Sequence, residues 1–265
     1  MRSLDIFNGL IGAMSRFDKP QSTPGRRLPS RRRENGGLLL LFDIDGTLLL
    51  RSSGEHASAL REALASVYGA APSQRVPAAG RTDTAIARDL AALAGVDAER
   101  FDEGLERFKA ACAASFAKLC PPDLRDRVAP GMRELLEALS ARADVRCSLV
   151  TGNYEPVARL KLERAGLGGH FAPGQGGFGS DAELRDELPP IARARAGGYP
   201  RECSIVIGDT PLDIACARAD GLRVVAVATG IYAASQLSDA DTVAGDGWEL
   251  AELLSGELSE RDACS

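Results

Sequence analysis

Short runs of apolar residues recur along the chain, each closed by Asp, Thr or Gly: Leu38–Phe42, Val145–Val150, Ser204–Ile207 and Val224–Ala228. None of them alternates with polar residues. A half-exposed strand alternates, whereas a strand covered on both faces does not, so these four runs predict the buried strands of a parallel sheet. Helical periodicity fills the gaps. Met132–Arg142 sets Leu135, Leu136 and Leu139 on one stripe, and Glu155–Ala165 sets Val157, Leu160 and Leu162 near one face. Pro211–Ala219 opens on the proline that a first helical turn tolerates, and Trp248–Leu254 fits a further helix. Strands alternating with helices predict an α/β fold: a doubly wound parallel sheet, a Rossmann-like core.

One segment interrupts that alternation. From Ser52 to Pro130 there is no buried-strand pattern, only helical patterns at Glu55–Tyr68, Asp83–Ala94 and Phe101–Leu119, separated by Gly69, Gly80, Gly95 and the Pro121-Pro122 pair. A helical block of this size after the first strand predicts an inserted cap subdomain over 52–130, with the catalytic core in 38–51 and 131–255. Residues 256–265 are expected to form a tail. No fixed-period repeat is present.

Charge separates the start of the chain from the rest. Residues 1–37 hold eight basic side chains against Asp5, Asp18 and Glu34, a net +5, while the whole chain of 265 residues carries −5. With Pro20, Pro24, Pro29 and Gly36-Gly37, this stretch is expected to be a basic leader without packed structure. An acidic chain gives no general reason to expect nucleic-acid binding. The longest apolar run is five residues, far below the ~20 a spanning helix needs, so no membrane partner is expected. The six cysteines (Cys112, Cys120, Cys147, Cys203, Cys216, Cys264) contain no C-x-x-C pair, and only His56 and His170 are available beside them. A Cys/His zinc site is therefore disfavoured. Cys147 and Cys203, inside apolar runs, are expected to be small core residues, and a reduced, cytoplasmic setting follows.

The candidate chemistry sits where the strands end. Parallel sheets of this class bind ligands beyond the carboxyl ends of their strands. Asp43-Ile44-Asp45-Gly46-Thr47 follows the first strand, Thr151-Gly152-Asn153 the second, and Gly208-Asp209-Thr210-Pro211-Leu212-Asp213 the third. Asp43, Asp45, Asp209 and Asp213 are thereby brought to one edge. Carboxylates so close repel and hold protons unless a cation lies among them, and an all-oxygen set suits magnesium. Thr151 offers a hydroxyl, and Gly152 lets a backbone N–H approach an anion. Taken singly, each motif also has a plain structural reading: a solvated D-x-D turn, a Gly-Asn turn, a helix start capped by Asp209 or Thr210.

Together, LLLLFDIDGTLLL, SLVTGN and IVIGDTPLDIACARADG resemble the first, second and fourth motifs of the haloacid dehalogenase-like hydrolase superfamily, over about residues 38–247. Val128–Met132 resembles the return from cap to core. Gly80-Arg81-Thr82-Asp83 resembles the substrate-facing cap turn of the phosphoglycolate phosphatase-like branch, with a helix N-terminus capped by Thr82 or Asp83 as its structural alternative. The resemblance implies Asp43 as nucleophile, Asp45 as general acid/base, and Mg²⁺ held by Asp43, the Asp45 carbonyl and Asp209 with Asp213 supporting. It implies Thr151 and the Gly152 amide as phosphoryl ligands, and Arg81, Thr82 and Asp83 as candidates for substrate contact.

The third motif departs from the pattern, which expects a lysine ahead of the fourth. No lysine follows Lys161, so Arg185 or Lys161 is expected to neutralise the phosphoryl charge, with Arg185 preferred. The expected activity is a Mg²⁺-dependent phosphatase for a small phosphorylated metabolite, working through an aspartyl-phosphate. Phosphosugar mutase, dehalogenase or phosphonatase chemistry, and a non-catalytic anion-binding protein on the same scaffold, stay open as alternatives. The Asp at position 45 weighs against dehalogenation.

Overall fold

A computed structural model describes residues 37–70 and 72–263, with side chains described as far as Leu258; the basic stretch lies outside them. Six strands, all parallel, form one sheet in the order β3-β2-β1-β4-β5-β6: β1 (Leu38–Phe42), β2 (Val145–Thr151), β3 (Gly177–Phe178), β4 (Ser204–Gly208), β5 (Arg223–Val227) and β6 (Thr242–Ala244). The four buried runs are all strands. The two outermost strands have no counterpart in the sequence pattern, because two and three residues are too short to show a period.

Alternation across β1 explains why its run is apolar throughout. Leu38, Leu40 and Phe42 enter one core, while Leu39 and Leu41 enter another on the opposite face. The first face is covered by α4 (Met132–Ser140), α5 (Glu155–Arg164) and α8 (Gly247–Ala263), the second by α6 (Leu188–Arg195) and α7 (Pro211–Ala219). Helix α6 begins Leu188-Pro189-Pro190, which in sequence suggests a loop; prolines in a first turn cost nothing there. Helix α8 continues to Ala263, through most of the stretch expected to be a tail. Cys147 is buried, whereas Cys203 lies half-buried in the turn before β4 and not in the core. No disulfide links the described cysteines, and no described helix is long and apolar enough to cross a membrane.

Three helices stand between β1 and α4: α1 (Ser53–Tyr68), α2 (Asp83–Leu93) and α3 (Ala98–Leu119). They bury an aromatic cluster of their own, in which Tyr68 stacks on Phe101 at 5.7 Å and both lie against Phe108. This cap core is continuous with the first face of the sheet. The chain leaves β1 toward β2 and β3 on one side and resumes at β4 on the other, so the strand order reverses beside β1. That reversal opens a crevice at the carboxyl ends of β1 and β4, and the cap lies over it.

Candidate active site

Strand register delivers the carboxylates together. Phe42 is level with Ile207, and the Asp43 amide donates to the Ile207 carbonyl at 2.9 Å, so Asp43 and Asp209 leave adjacent strands at one height. Gly46 turns the chain after Asp45 with φ +93°. A Cβ there would meet Asp209 Oδ2 at 2.1 Å, so both the turn and the close packing require glycine. Thr47 Oγ1 donates to Asp209 Oδ1 at 3.0 Å, which fixes the carboxylate and leaves its other oxygen open.

Asp43, Asp209 and Asp213 each bring an oxygen to within 4.8 Å of the others. Burial pushes Asp43 up to about 6, against the pull of Arg185; burial, with Asp213 and Asp43 nearby, pushes Asp209 up to about 8. Concentrated buried negative charge of this kind is relieved by a hard cation. Asp213 has less to offer as a ligand. Thr210 caps α7, and Asp213 Oδ2 accepts from Thr210 N at 3.0 Å and Oγ1 at 2.7 Å, while Oδ1 takes Arg185. The open donors are therefore Asp43 and Asp209 with nearby backbone carbonyls, an all-oxygen set that fits magnesium.

The two candidate cations of the third motif occupy different places, and neither is a surface charge. Arg185, 7% exposed, lies 3.3 Å from Asp43 Oδ1 and donates to Asp213. Its other arm donates to the Gly80 carbonyl in the cap at 2.9 Å. Lys161, 0% exposed, bonds both oxygens of Asp45, at 2.6 and 2.8 Å, and Asn153 Oδ1 at 2.7 Å. Ser52 and Asn153 Nδ2 donate to Asp45 as well. Burial alone would raise Asp45, but Lys161 and then His56 outweigh it and hold the carboxyl well below the usual range.

Behind Lys161 lies His56, with Nδ1 3.3 Å from Nζ and Nε2 3.0 Å from Asp83 Oδ2. Asp83 also accepts from Tyr154 N at 2.7 Å. In the sequence His56 stands out only as a possible zinc ligand and Ser52 only as the start of the inserted segment, although a signal for the histidine exists. The buried stripe of α1 runs His56, Ala59, Leu60, Ala63, Leu64, so a histidine stands where helical spacing calls for an apolar residue. Lys161 likewise shares the buried face of α5 with Val157, Ala158 and Leu162.

The loop residues serve partly structural ends. Thr151 Oγ1 accepts from Asn153 Nδ2 at 2.8 Å. Gly152 lines the cavity, yet a Cβ on it would lie 2.0 Å from the Arg81 carbonyl; the cap's approach, as much as any anion's, demands glycine. Of the cap candidates, Thr82 does not face the cavity. It caps α2, accepting from Ala85 N at 3.2 Å, and donates to the Glu183 carbonyl at 2.6 Å. Arg81 and Asp83 line the cavity but already hold partners, Asp89 at 2.7 Å and His56. The cavity measures about 880 Å³ and gathers Asp43, Asp45, Gly152, Arg185 and Asp209 beneath the cap; Lys161 stands behind Asp45, outside its lining.

Comparison with known proteins identifies the family of the chain. A family model described as haloacid dehalogenase-like hydrolase matches residues 40–218. A phosphoglycolate phosphatase of Rhodospirillum rubrum is 31% identical over 196 residues, 72% of this chain and 79% of that protein. Among solved structures, a hydrolase from Pseudomonas syringae superposes with TM-score 0.59 at 23% identity, covering 83% of this chain and 98% of that one. A putative beta-phosphoglucomutase from Bacteroides vulgatus gives TM-score 0.60 at 20% identity, covering 97% of each. This chain belongs to the haloacid dehalogenase-like hydrolase family.

Proposed function

We propose that this protein is a magnesium-dependent phosphatase for small phosphate monoesters, in which Asp43 forms and then releases an aspartyl-phosphate. One observation carries the reading: two carboxylates two residues apart, Asp43 and Asp45, share one cavity but sit in opposite electrostatic settings. Such a split assigns different tasks to chemically equal groups.

An Asp43 oxygen attacks phosphorus while the bond from phosphorus to the alcohol oxygen breaks, and the departing oxygen takes a proton from Asp45. A water then gives its proton to Asp45 and attacks phosphorus, which frees phosphate and restores Asp43. Asp43, Asp209 and the Asp45 carbonyl would hold magnesium, which when bound would neutralise phosphoryl charge. Arg185 is placed beside Asp43 to grip phosphoryl oxygens with Thr151 and the Gly152 amide; Asp213 aims Arg185. In this reading Lys161 does not clamp the phosphoryl group but holds Asp45 as an ionised base. Asp45 must therefore leave Lys161 to take up, from solvent before the first turnover and from the attacking water in each later one, the proton that it gives to the departing oxygen. Phosphoglycolate, the substrate named for the Rhodospirillum rubrum relative, is the first metabolite to try.

The test is phosphate release from an aryl phosphate and from phosphoglycolate, with magnesium and with excess chelator, beside Asp43→Asn. Release that needs both the metal and Asp43 is expected. Release that survives Asp43→Asn would overturn the mechanism.

A further inference from the structure

Away from the four aspartates, the charged lining of the cavity has a single sign. Asp43, Asp45, Asp83 and Asp209 are its acidic residues; every other charged lining residue is an arginine, namely Arg51, Arg61, Arg75, Arg81 and Arg185. Three of these are committed. Arg185 serves Asp43 and Asp213, and Arg81 pairs with Asp89. Arg61 donates to the carbonyls of Pro72 at 2.6 Å and Gln74 at 2.9 Å. Arg51 and Arg75 differ: among the described residues neither guanidinium has an ion-pair or hydrogen-bond partner.

Both nevertheless project from anchored backbone. The Arg51 carbonyl accepts from Arg127 Nη1 at 2.8 Å, and Arg127 is itself pinned to Glu55. Arg51 is the one non-glycine described residue with positive φ, at +54°, a conformation that disfavours any residue bearing a Cβ. Arg75 follows Gln74, whose carbonyl Arg61 holds. Two arginines thus fix the main chain of two others, which are exposed and line a cavity whose wall also includes Leu60, Val76, Ile86 and Leu90. Backbone strain at a ligand-facing residue is a recurrent mark of function.

We infer that Arg51 and Arg75 form a second anion subsite, which receives a carboxylate or phosphate carried on the alcohol part of the substrate. The inference rests on the phosphatase reading above. A guanidinium binds either anion through paired N–H donors, and a cavity of about 880 Å³ accommodates a small doubly anionic ester. The enzyme is accordingly selective for phosphate esters with a second negative group, and the arginines set that preference.

The experiment compares kcat/KM for phosphoglycolate, for a sugar bisphosphate and for an aryl phosphate whose aryl group carries no charge. It uses the full chain, Arg51→Ala, Arg75→Ala and the double variant, with thermal melts as folding controls. Wild type is expected to prefer the esters with a second anionic group, and the double variant to lose that preference about 10- to 100-fold. Arg51→Lys should restore part of it. The arm that loses more, phosphoglycolate or bisphosphate, tells carboxylate from phosphate. Should Arg51→Ala fold poorly, Arg51→Gly suits the backbone. If wild type hydrolyses all three without preference, or the variants keep the preference, the subsite is overturned while the phosphatase stands. If nothing is hydrolysed, the phosphatase reading fails, and the subsite is judged by phosphoglycolate binding to Asp43→Asn. A Kd raised at least tenfold by adding Arg51→Ala and Arg75→Ala supports it; an unchanged Kd removes it.

Discussion

Lys161 Nζ lies 2.6 Å from Asp45 Oδ2, and this contact, with His56 behind it, holds the proposed acid/base carboxylate below its usual range. The lysine is wholly buried on α5 and is backed by His56, so the pair links a helix of the core to one of the cap.

Lys161→Met should therefore free Asp45 to hold a proton. The limb of the pH–rate profile set by Asp45 is expected to move up by about one pH unit or more, since Lys161, with His56, outweighs burial at Asp45. Stability should fall by about 3 kcal/mol, the lower range for breaking a buried pair on one side. A pH–rate profile and denaturant titration check both. An unmoved limb would show that Asp45 is not governed by Lys161.

Arg185 is the cation of Asp43, and truncation to Ala leaves Asp43 and Asp213 facing each other without it. Loss of ~10²–10³ in kcat is expected, with Arg185→Lys recovering part through its single charge. If Lys161→Met instead mimics Arg185→Ala in raising KM and lowering kcat at all pH values, the two cations have exchanged roles.

Asp43→Asn should keep the fold and lower turnover by ~10³ or more, because an amide cannot serve as the nucleophile. It also deletes one of the crowded buried charges, so the metal-free variant should melt higher than metal-free wild type above about pH 6. Melting curves with chelator give the sign directly.

The same crowding predicts how magnesium and pH interact. Asp209 and Asp43 sit above their ordinary value of 3.8, at about 8 and about 6. Between the ordinary and the raised values the folded chain holds more protons than the unfolded one. Metal-free stability therefore declines as pH rises through that interval. Magnesium replaces the missing protons, so the Tm gain on adding it should be larger at about pH 8 than at about pH 5.5. Thermal melts with magnesium and with chelator measure it; equal gains would mean that the metal binds elsewhere.

How far the sequence revealed this depended on the kind of signal. Leu38–Phe42 was legible to the residue because both faces of β1 are covered, which makes its run uninterrupted. Gly177–Phe178 at the sheet edge is too short to carry a pattern. Asp43 and Asp209 were legible because each directly follows a buried strand, with Asp45 two residues on, and ligands in parallel sheets bind at strand ends. Their partners were harder to see. Lys161 and Arg185 compete for one role in sequence, and only register and helix phase separate them, one onto Asp45 and the other beside Asp43. Thr82 shows the reverse: its motif suggested substrate, while its local chemistry made it a helix cap.

The turn from Gly80 to Thr84 is sewn into the core strand by strand. Asp83 N reaches the Gly152 carbonyl, its carboxylate takes the Tyr154 amide, Thr82 and Thr84 reach the carbonyls of Glu183 and Gly179, and Arg185 holds Gly80. Removal of the inserted helices would thus not yield a smaller, more permissive enzyme. It would strip five hydrogen-bonding partners from the loops that surround the nucleophile, so the insertion is as much a part of the catalytic wall as the sheet itself.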